Sequence, residues 1–82
     1  MRCAVAMRGK AVVAVFEGAP REVAWRSFRR AIVAFGEEGV RVKVAPRPTL
    51  DAGWVFVVAT DDDPQRLREC VEQECCDAAR GV

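Results

Sequence analysis

With 82 residues, 51% hydrophobic and 30% charged, the chain is the size of one small domain, and nowhere holds the roughly 18 consecutive apolar residues that would span a bilayer. Its formal charge of +1 conceals a division: residues 1–48 carry ten basic and four acidic side chains, net +6, and residues 49–82 carry three and eight, net −5. The absence of His removes the usual general acid–base and metal-binding side chain, and the split charge points to a charged partner or a complementary subunit rather than to small-molecule chemistry.

In chain order, residues 3–7 and 11–16 are apolar runs separated by Arg8-Gly9-Lys10. They predict either a hairpin, with residues 2–8 as an extra N-terminal strand, or one long strand bulged at Gly9. The first run is too short for a secretory leader, so a cytoplasmic protein is expected. Pro20 predicts the first position of a helix, since its fixed φ suits the first turn. Ala24, Phe28, Ala31 and Phe35 recur at helical spacing, flanked by Trp25 and Ile32, and form the apolar stripe. Arg26, Arg29 and Arg30 fall on the other side, with Glu22 four residues before Arg26 for an ion pair, and Gly36 or Gly39 closes the helix.

Val40, Val42 and Val44 alternate with Arg41 and Lys43, the period of a strand with one wet face, which Pro46 and Pro48 are expected to end. The unbroken apolar run 54–59 predicts a central strand, or one whose outer half is covered by another chain. Asp63 as N-cap and Pro64 as first residue open a second helix, with Leu67, Cys70, Val71, Cys75 and Ala78 on its apolar face. Glu74 intrudes on that face and is expected to reach outward to water or to an arginine of a partner.

The order is β(β)αββα, an α+β domain of two layers, 1–82, with an antiparallel sheet and both helices on one face. The sheet's other face is then expected to carry Arg41, Lys43 and half of the apolar strand, with Trp54, Phe56 and Val58 as the subunit interface. Because the helices would be neighbours, Arg26, Arg29 and Arg30 are expected to pair in part with Glu69, Glu72 or Asp77.

Other motifs carry less. Gly36-Glu37-Glu38-Gly39 has the G-x-x-G spacing of a KH loop, but two acids at its centre would repel phosphate, so it reads as a helix cap and turn. Asp61-Asp62-Asp63 lacks the alternating spacing of a hard-metal loop and reads as capping. Cys3, Cys70, Cys75 and Cys76 have no C-x-x-C spacing; Cys70 and Cys75 are expected in the core and Cys76 outside, a disulfide being the alternative for a hyperthermophile. Eleven Arg against two Lys, with no Asn, suits a thermophilic source or a GC-rich genome. No nucleophile has a base beside it and no cofactor or metal is implied.

Val12-Val13-Ala14-Val15-Phe16 leading to Glu22-Val23-Ala24-Trp25-Arg26-Ser27-Phe28, then Val55-Phe56-Val57-Val58-Ala59, then Asp63 before Leu67-Arg68-Glu69, resembles the small dimerising (Pcc-type) subunit of the KEOPS complex, which makes threonylcarbamoyl-adenosine on tRNA. The resemblance implies a non-enzymatic subunit, or a divergent paralogue of it, that forms a homodimer or heterodimer, docks on the catalytic subunit and helps hold tRNA. Arg26, Arg29, Arg30, Arg41, Lys43 and Arg68 are the candidate RNA or partner contacts. A stand-alone KH-like RNA-binding module is the second reading, and a small ferredoxin-like enzyme the third.

Overall fold

A computed structural model describes residues 1–80. Strands β1 (Arg2–Arg8) and β2 (Ala11–Glu17) precede helix α1 (Arg21–Phe35), and a 3-10 turn (Glu37–Gly39) leads into β3 (Val42–Pro48), β4 (Gly53–Ala59) and helix α2 (Pro64–Arg80). The strands form one antiparallel sheet in the order β1-β2-β4-β3. The N-terminal alternative resolves as a hairpin: Arg8 faces Ala11 across a two-residue turn whose first member, Gly9, takes φ +62°.

Strand alternation decides which face holds the core. Val12, Ala14 and Phe16 of β2 are buried, and β2 pairs with β4 so that Val12 faces Val58, Ala14 faces Phe56 and Phe16 faces Trp54. That face meets Ala24, Phe28, Ala31, Ile32 and Phe35 of α1 and Leu67, Val71 and Cys75 of α2. Both helices therefore lie on one side of the sheet, α1 over β3 and β4, α2 over β1 and β2. Burying the Val, Leu, Ile and Phe side chains among them contributes about 1.5–3 kcal/mol each, which is what fixes the register.

The same register corrects the expected interface. Phe56 and Val58 are 1% and 0% exposed beneath the helices, and half-buried Trp54 packs against the same core. The outward half of β4 is Val55 and Val57 instead. An all-apolar run has no polar residue to mark its phase, and a slip of one residue exchanges the faces. Lys43 faces Val58 and so also belongs to the helix side, not the open side.

Local details differ too. Pro20 stands one position earlier than expected, as the N-cap, its carbonyl accepting from the Val23 and Ala24 amides at 3.1 and 3.4 Å. Gly36, with φ +110°, caps the end of α1. Strand β3 continues through both prolines because it is an edge, with an irregularity between Val44 and Arg47 where a ladder bond is dispensable. Asp63 and Pro64 open α2 as expected, the Asp63 carboxylate accepting the Arg66 amide at 3.1 Å. Cys75 is buried, but it is joined to Cys3 by a disulfide; Cys70 is half-buried and Cys76 exposed.

Candidate functional site: a basic helix face and an open sheet face

Helix α1 buries one stripe and turns the rest of its surface to solvent. Successive positions on a helix are about 100° apart, so Arg21, Trp25 and Arg29 stack one turn above another on the outer side. Arg26, Arg30 and Val33 run beside them, and all six are exposed. The three arginines expected at this face, Arg26, Arg29 and Arg30, are thus brought together. They line a shallow depression of about 420 Å³ with Val33, Ala34 and Glu74.

Among the described residues none of Arg21, Arg26, Arg29 and Arg30 makes an ion pair, although Glu22 and Glu74 border the depressions they line. The pairing expected across the helices does not form: Glu72 is taken by Arg68 and Asp77 by Arg80 within α2, and Glu69 makes no ion pair among the described residues. The expected pair between Glu22 and Arg26 is likewise absent. Glu74 escapes the core by turning toward the arginine depression of its own chain.

The other expected contacts lie apart, each beside an acid. Arg41 pairs with Asp61 at 2.9 Å, and Lys10 reaches the same carboxylate at 3.2 Å, so the Asp61–Asp63 run divides between this ion cluster and the helix cap. Arg68 is bonded to Glu72. Lys43 approaches Glu37 at 4.0 Å but also lines a second depression with Trp25, Phe28, Arg29 and Val33, which connects it to the α1 face.

Trp25 was legible only as a flank of the core stripe. It is 38% exposed, with its ring against Phe28 at 5.8 Å between centroids. It also lines a third depression, about 440 Å³, with Arg21, Glu22, Arg26 and Arg29. The available signal was its position four residues from an arginine on each side.

On the far side of the sheet, Ala4, Ala6, Val13, Val15, Val55 and Val57 share one face with no helix over them. Val42 and Val44 extend it on β3, and Arg2, paired with Glu17 at 2.8 Å, Arg8 opposite Ala11 and Arg47 opposite Val55 mark its rim. Four strands about 4.8 Å apart and seven residues long at about 3.4 Å each give roughly 450 Å². Among the described residues no helix is long and apolar enough to cross a membrane.

The chain matches no protein-family model, and no curated protein is similar to it in sequence.

Proposed function

We propose that this chain is a non-catalytic accessory subunit of a tRNA-modifying assembly of the KEOPS kind, which pairs through the open face of its sheet and turns the arginine face of α1 toward RNA. The observation that carries this reading is the separation of two unlike surfaces, an apolar one beneath the sheet and a basic one above the helices. From β2 onward the order β–α–β–β–α agrees with what the resemblance implies, β1 being added before it.

A second copy is the occupant that best suits the open face. Two such faces packed together cover about 900 Å² of flat area, the size class of weak or transient pairings. Small and β-branched residues leave the face flat enough to pack on itself, as sheets do about 10 Å apart in a sandwich. An apolar patch of a few hundred Å² is as large as monomers commonly expose, and such patches are often functional.

The reading predicts a dimer in size-exclusion chromatography with light scattering, and a monomer with unchanged circular dichroism when Val57 is replaced by Lys. It also predicts retention of tRNA by the native chain that weakens as salt is raised. A wild-type monomer at high concentration that retains no tRNA would remove it.

A further inference from the structure

We propose that Trp25 is a stacking platform for an unpaired base of single-stranded RNA, whose phosphates follow the arginines of α1. This deepens the RNA-facing role given to α1 above and rests on it.

The first support is that the core does not need this indole. Ala24, Phe28, Ala31, Ile32 and Phe35 complete the buried stripe of α1, while Trp25 keeps 38% of its surface in solvent. The second is that the ring is held in place. It rests on Phe28 with an interplanar angle of 28°, and Phe28 meets Phe56 edge-on at 5.0 Å between centroids. Phe28 and Phe56 are buried, so the exposed ring stands on a fixed aromatic column. An indole already ordered loses little freedom when a base lies on it.

The third support is electrostatic. Arg21 and Arg29 stand one turn before and after Trp25, and the depressions on either side of the ring both include Arg29. The alternation of unpaired cations with an aromatic ring is what a single strand requires, since its phosphates are close to every base and its bases have free faces. A duplex could meet the arginines, but its stacked bases would not reach the indole. An acidic protein would also meet the charges, but only a nucleic acid brings a flat aromatic face with every phosphate.

The chain has two tryptophans, so replacing half-buried Trp54 by Phe makes Trp25 the sole indole fluorophore. This full chain is titrated with a single-stranded oligouridylate, an abasic strand of equal length and an RNA duplex of equal length. Only the oligouridylate should quench Trp25; read by anisotropy of end-labelled strands, which needs no tryptophan, Trp25→Ala should weaken its binding about tenfold while leaving the abasic strand's affinity unchanged. Trp25→Phe should restore most of the loss, and circular dichroism identical to the parent's shows that folding is not the cause. Equal affinity for oligouridylate and abasic strand, with Trp25→Ala neutral, overturns the stacking role and leaves the arginine face standing as a phosphate contact. Failure of all three nucleic acids to bind at low salt overturns both, and polyglutamate binding as tightly as oligouridylate overturns RNA as the occupant.

Discussion

Cys3 on edge strand β1 is joined by a disulfide to Cys75 in α2, 72 positions further along the chain, with Cα atoms 6.0 Å apart. The bond ties an edge of the sheet to the helix that covers it. Closing a loop of that length removes unfolded-state entropy equivalent to about 4 kcal/mol. For a chain this short the loss on reduction corresponds to a melting shift on the order of 20 °C. Thermal unfolding with and without reductant measures it, and Cys3→Ala under oxidising conditions should match the reduced wild type. Melting that ignores reductant would show that the bond contributes nothing.

The pair Phe56 and Val57 tests the phase of β4. Phe56 lies under the helices at 1% exposed, and Val57 faces outward. Phe56→Ala should cost about 3–5 kcal/mol in urea unfolding, whereas Val57→Ala should cost under about 1 kcal/mol. Comparable losses at both positions would contradict the register.

The same pair shows where sequence reading stops. The helix stripe from Ala24 to Phe35 and the Asp63-Pro64 start are local patterns, and they appear where the residues indicate. The basic cluster was legible for the same reason, since Arg26, Arg29 and Arg30 occupy one side of one helix. The phase of β4 is set by Val12 facing Val58, a contact between residues far apart in the chain. No local pattern announces it, just as none announces that Cys3 reaches Cys75. Trp25 fell between the two cases, because its neighbours at four-residue spacing are charged while its ring still touches Phe28.

Unpaired arginines make a separate prediction about stability. Arg26 and Arg30 are four residues apart on α1 and form no ion pair among the described residues, so they repel one another at a cost of about 0.2–0.5 kcal/mol. Replacing Arg26, Arg29 and Arg30 together by Ala should leave the melting temperature unchanged or slightly raised at low salt. The difference should vanish at about 1 M salt, where charges are screened beyond about 3 Å. Substantial destabilisation would mean that the arginines hold the fold, and would weaken the case for a binding face.

Arg66 offers the opposite case, an arginine whose work is internal. Its Nη2 donates to the Phe35 carbonyl at 3.1 Å, and its guanidinium carbon lies 4.1 Å from the centre of the Phe35 ring. Helix α1 has no basic residue in its own last turn, so α2 supplies the cation that its C-terminal carbonyls favour. Arg66→Ala should therefore cost about 2 kcal/mol, the low ends of a charged hydrogen bond and a cation–π contact added together, because the residue is exposed. Arg66→Lys should recover less than half of that, because an ammonium cannot lie flat on the ring while donating to the carbonyl. The urea midpoints of the two variants decide the matter: full rescue by Lys would reduce the contact to simple charge at a helix end, and no loss with Ala would remove it as a link between the helices.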